Sequence, residues 1–65
     1  MKITLFDELE VGDMVIDTWW RYRGWGIITK KFKRTIHINW GNGPYDPYRI
    51  YDKPHTNQFL EKVER

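Results

Sequence analysis

Apolar and polar positions alternate most regularly from Thr35 to Trp40, where His37 and Asn39 separate Ile36, Ile38 and Trp40. A period of two is the pattern of a strand with one buried face. It puts the two isoleucines and Trp40 inward and His37 and Asn39 outward. Met14 to Trp20 and Trp25 to Phe32 read as two earlier strands, rich in β-branched and aromatic residues. Gly26 interrupts the second and marks a bulge or a close backbone approach. Lys33-Arg34 is a tight connection into the alternating strand. Tyr48 to Tyr51 predicts a short fourth strand. Phe59 to Val63 predicts a last strand, although Phe59, Leu60 and Val63 also fit a short helix capped by Thr56.

Turn chemistry fills the gaps. Leu5 to Leu9 reads as a turn or a single helical turn, with Phe6 and Leu9 folding back onto a core and Thr4 with Asp7 resembling a cap. Gly12-Asp13, Arg21 to Gly24, Gly41 to Pro47 and Asp52 to Asn57 are turns or loops by composition. The expected core is Leu9, Val15, Ile28, Ile36, Ile38, Trp40, Ile50 and Leu60, with the choice between Ile27 and Ile28 left open. Five short strands in one domain spanning residues 1–65 predict an all-β fold, a single small barrel of antiparallel strands. Curling a small sheet is a common answer to exposed edges.

Composition sharpens this picture. The chain contains no Ala, the best helix former, and no Ser or Cys. Disulfides and thiolate metal sites are therefore excluded. Four Trp, four Tyr and three Phe are more ring area than 65 residues can enclose, so some rings must be partly exposed. No signal-peptide pattern or membrane-spanning apolar run is present, and a cytoplasmic location is expected.

The net charge of +2 hides an uneven distribution. No Asp or Glu occurs from Thr18 to Tyr45, a window holding Arg21, Arg23, Lys30, Lys31, Lys33 and Arg34. All nine acids lie outside it. The folded chain is expected to be basic on one side and acidic on the other.

Several segments resemble a known architecture. Leu9-Glu10-Val11-Gly12-Asp13-Met14-Val15 is similar to the lead-in to the first strand of SH3-like small barrels, the group that includes Tudor and KOW domains. Gly24-Trp25-Gly26-Ile27-Ile28 resembles their second strand. Ile36 to Trp40, Asn42-Gly43 and Tyr48-Arg49 look like the third and fourth, in an order also similar to the barrel of mind-bomb-type ligases. The resemblance covers residues 9–63. The Trp19–Arg23 insertion departs from compact KOW spacing and argues against a polymerase or ribosome role. Tudor domains hold methylated Lys or Arg in a cage of rings plus an acid. The resemblance leaves open which of Trp19, Trp20, Trp25, Tyr48 and Tyr51 would be walls, and whether Asp17 or Asp46 would be the acid. A stand-alone barrel also looks like the small accessory proteins of phages.

Catalysis is not expected, because no Ser or Cys nucleophile exists and His37 and His55 have no triad partner in the sequence. Two distant His without Cys match no zinc spacing, so neither metal nor cofactor is expected. Gly24-x-Gly26 lacks the third glycine of a dinucleotide fingerprint, and Gly41-Asn42-Gly43 reads as a turn.

What remains is a basic-aromatic surface. Trp19, Trp20, Tyr22 and Trp25 are candidates to stack on bases or sugars. Arg21, Arg23, Lys30, Lys31, Lys33 and Arg34 are candidates to contact phosphates. The preferred expectation is a non-enzymatic module that binds DNA or RNA. The alternative is a protein or peptide module, an adaptor, inhibitor or Tudor-like reader, anchored by the same rings. The simplest structural reading is that Trp20 and Trp25 pack over the barrel end while Lys30 to Arg34 form a solvated hairpin.

Overall fold

The computed structural model describes residues 3–21, 24–41 and 47–63. The alternating segment forms a strand over Thr35–Asn39, with Ile36 and Ile38 buried. It is the third of five: β1 is Met14–Asp17, β2 Trp25–Lys31, β3 Thr35–Asn39, β4 Tyr48–Asp52 and β5 Leu60–Lys62. They pair antiparallel in one sheet of order β4-β3-β2-β1-β5. The expected all-β architecture of five antiparallel strands is the one observed. The barrel is not closed: β4 and β5 are the two edges, connected through helix α1, Lys53–Phe59.

The sheet nevertheless curls. In a flat sheet β4 would lie three strand spacings, about 14 Å, from β1. Instead Tyr51 on β4 donates its hydroxyl to Oδ2 of Asp17, the last residue of β1, at 2.6 Å. The curled sheet encloses Phe6, Leu9, Val15, Ile28, Ile36, Ile38, Trp40, Tyr51 and Leu60. Each fully buried aliphatic side chain among these stabilises the fold by about 1.5–3 kcal/mol.

This core corrects one expectation. Ile50 is 63% exposed, and Tyr51 takes the inward place. The register pairs Tyr51 with inward Ile36 and Ile50 with outward His37. A one-residue choice flips every side chain of a strand. Here it is fixed by the phenol, long enough to reach Asp17, which an isoleucine could not satisfy. Ile28, rather than Ile27, faces the core.

Gly26 is a close approach. A Cβ there would lie 2.7 Å from Ile38 Cγ2 and 2.8 Å from Trp40 Cε3. The register shift falls elsewhere, between Ile28 and Lys30. Gly12, at φ 96°, makes the expected turn into β1.

The ends differ from expectation in instructive ways. Phe6–Glu8 forms one 3-10 turn, but Thr4 does not cap it. Thr4 Oγ1 accepts the Lys62 N–H at 2.9 Å, and Thr4 N–H donates to the Leu60 carbonyl, so residue 4 covers the β5 edge. Helix and strand, weighed as alternatives near the C-terminus, occur in succession as α1 and β5. Asp52 is the cap, its Oδ1 accepting the His55 N–H at 2.9 Å, with Pro54 in the first turn. Buried Thr56 donates Oγ1 back to the Asp52 carbonyl. β1 stops at Asp17, short of Trp20. Tyr22, Arg23 and residues 42–46 lie outside the described residues.

Two stability predictions follow from this packing. Gly26→Ala should lower unfolding stability by about 1–3 kcal/mol in urea titration, because backbone or Trp40 must shift. An unchanged midpoint would show that the approach to Trp40 is loose. Tyr51→Phe should cost about 1–3 kcal/mol by leaving a buried carboxylate oxygen short of its donor, and Asp17→Ala should cost more. Equal stability of all three proteins would show that this bond does not hold the curl.

Candidate functional site

Asp17 is 1% exposed and organises the loop after β1. Its Oδ1 accepts the N–H groups of Trp19 at 2.8 Å and Trp20 at 3.2 Å, while the Trp20 N–H also approaches the Asp17 carbonyl at 3.1 Å. A short acid bonding to the backbone two and three residues on is a turn-former. It ends the strand and throws the two indoles outward. Trp19 is 70% exposed, with its ring 5.8 Å from Phe59, while Trp20 is half-buried and Arg21 exposed.

These indoles form one wall of an open pocket of about 310 Å³. The other wall is Arg49, Ile50, Tyr51 and Asp52 of β4 with His55 of α1, and Asp17 lies at its base. The His55 ring stands 5.0 Å from Tyr51 and 4.6 Å from Phe59, extending the aromatic lining. The pocket occupies the side on which β4 and β5 fail to pair.

A second surface is the outer face of β2, β3 and β4. Ile27, Asn39 and Tyr48 form one row across it, and Lys30, His37 and Ile50 the next. The His37 ring is 5.2 Å from Phe32 and 6.0 Å from Tyr48, and Tyr48 Oη lies 3.0 Å from Thr29 Oγ1. Phe32 is 53% and Trp25 48% exposed. Among the described residues the only carboxylate on this face is Asp52, at the end of β4, where it caps α1.

The expected patch is therefore divided. Trp25 and Lys30 lie on the outer face, and Lys33 and Arg34 are exposed on the β2–β3 hairpin. Trp19, Trp20 and Arg21 belong to the loop before β2, whose strand separates Trp25 from Lys31 by about 20 Å. Lys31 turns away: its Nζ donates to the Leu9 carbonyl at 2.7 Å and sits 4.9 Å from the Phe6 ring centroid. The register shift before Lys30 exchanges the facings of the two lysines. Tyr22 and Arg23 fall outside the described residues.

Sequence reasoning missed Arg49, which lies beyond the acid-free window, and although it named Tyr48 as a possible cage wall and His37 as outward, it did not bring Phe32, His37 and Tyr48 together as neighbours on one face. The outward parity of His37 was the usable signal for that grouping. A shallow basin of about 760 Å³ beside the hairpin gathers Lys33, Arg34 and Lys53. It meets the aromatic pocket at Asp52, which lines both. Lys53 also approaches Asp7 at 3.5 Å, an exposed pair of little weight.

Among the described residues no three His, Asp or Glu converge as a metal site requires, and no helix is long and apolar enough to cross a membrane. No family model matches the chain, and no curated protein or solved structure matches it.

Proposed function

We propose that this chain is a non-enzymatic module that binds single-stranded nucleic acid on the outer face of β2–β4. One observation carries the reading: exposed Trp25, Phe32 and Tyr48 and half-buried His37 share a face with Lys30 and border Lys33 and Arg34, and among the described residues Asp52 is the only acid on that face. Bases stack on such rings irrespective of sequence, each contributing about 1–3 kcal/mol. The three cations take phosphates at the margin. The five-stranded curled sheet supports the finer reading of an SH3-like barrel, an architecture compatible with a small binding module.

A protein partner is the second reading, favoured by exposed Ile27 and Ile50 among the rings. Aliphatic side chains offer bases no stacking surface but stabilise a protein interface when buried. A Tudor-like reader is the narrower form of that reading.

Titration of a fluorescent oligonucleotide of about ten nucleotides separates the two. Binding through three phosphate contacts should weaken with salt at a log–log slope of about −2. Phe32→Ala should weaken it about 5- to 100-fold with the fold intact. No binding at low salt, or binding indifferent to salt, would overturn the nucleic-acid reading.

A further inference from the structure

The aromatic pocket on the open side of the sheet is not used by the outer-face reading. Its walls are rings: Trp19 and Trp20 on the loop, Tyr51 and His55 opposite. At its rim Arg49 supplies a guanidinium that can stack or fork onto phosphate. Asp52 supplies an exposed carboxylate whose Oδ1 accepts the His55 N–H. Beyond Asp52 begins the basin of Lys33, Arg34 and Lys53. Ile50 belongs both to the outer face and to the pocket, so the two surfaces are continuous around the edge of β4.

We infer that this pocket receives one unpaired base of a bound single strand, with the phosphate on the sugar of that nucleotide lying in the Lys33–Arg34–Lys53 basin. The inference rests on the nucleic-acid reading and adds a nucleotide subsite to it. The pocket's volume of about 310 Å³, lined by Trp20, Tyr51 and His55, is at the lower end for small-ligand pockets and suits a flat heterocycle. A carboxylate at the wall favours a base that presents an amino group. The neighbouring cations fix the direction in which the phosphate leaves. An uncharged apolar side chain would use the rings but neither Arg49 nor the basin.

The test is a ¹H–¹⁵N NMR titration of the whole chain with adenosine 5′-monophosphate, adenosine, inorganic phosphate and an oligoadenylate of about ten nucleotides. The monophosphate and the oligonucleotide should both shift the Trp20 indole N–H and the His55 amide, saturably. Adenosine should do so only at several-fold higher concentration. Exposed His55→Ala should weaken the monophosphate about 5-fold or more. The double variant Lys33→Glu with Arg34→Glu should bring it down to the affinity of adenosine. Val11→Ala, at an exposed residue lining neither surface, should leave it unchanged. Three outcomes overturn the inference. Oligonucleotide binding that moves only outer-face signals refutes the pocket while sparing the outer-face reading. Equal shifts from inorganic phosphate alone mark an anion site without a base. A response to the monophosphate but not to the oligonucleotide marks a free-nucleotide site and refutes the strand assignment.

Discussion

The buried carboxylate of Asp17 is the constraint on which the remaining geometry depends. Within one side chain it joins two backbone donors of its own loop to a phenol from three strands away. A buried acid is tolerated only when its oxygens are satisfied, and here three donors do so. Two consequences follow from the same group. The loop bonds terminate β1 and hold the backbone of Trp19 and Trp20 in a fixed turn. The phenol bond draws β4 toward β1 and turns an open sheet into an enclosing one. A longer acid would misplace the turn acceptor, and an apolar residue would remove the acceptor to which the Tyr51 hydroxyl donates.

The closure is incomplete, and the incompleteness makes the pocket. β4 and β5 do not hydrogen-bond; α1 fills the interval instead, held at its start by Asp52 and packed through Thr56 and the ring row of His55 and Phe59. The far edge, β5, is covered by Thr4 through one backbone and one side-chain bond. The two edges are thus managed differently. One is blocked by local chain, and the other borders rings and charges. A small domain has little surface to spare for a cleft. Leaving one pair of strands apart creates concavity without enlarging the core.

How much of this the sequence revealed depends on the range of each interaction. Ile36 and Ile38 were legible because five alternating residues carry their own parity. Gly26 was legible because a glycine amid β-branched neighbours signals crowding, and Ile38 with Trp40 supply the crowd. Ile50 was misread because Tyr48-Arg49-Ile50-Tyr51 contains three apolar residues in four and so has no parity. The deciding bond runs to Asp17, far away in sequence. The order of Lys30 and Lys31 was hidden by a register shift that no residue type announces. The basic window was visible as a stretch of chain, but a seven-residue strand lies within it and carries its two ends apart. Charge counted along the chain is not charge gathered in space.

That separation also decides which force must dominate at the outer face. Lys31 is committed to Leu9 and Phe6, which leaves Lys30, Lys33 and Arg34 as the cations near the exposed rings. Three phosphate contacts give modest, strongly salt-sensitive attraction and no sequence choice. Stacking on Trp25, Phe32, His37 and Tyr48 is worth as much per base and is far less sensitive to ionic strength. Under the proposed nucleic-acid reading, such a surface would hold unpaired strands in preference to duplex, because a duplex hides the faces of its bases and presents mainly the phosphates that three cations are least equipped to bind. The same economy of charge explains why exposed Ile27 and Ile50 can sit among the rings at little cost. In a face dominated by cations they would interrupt the electrostatic track, whereas between stacking rings they would, on the proposed reading, border ribose and base edges.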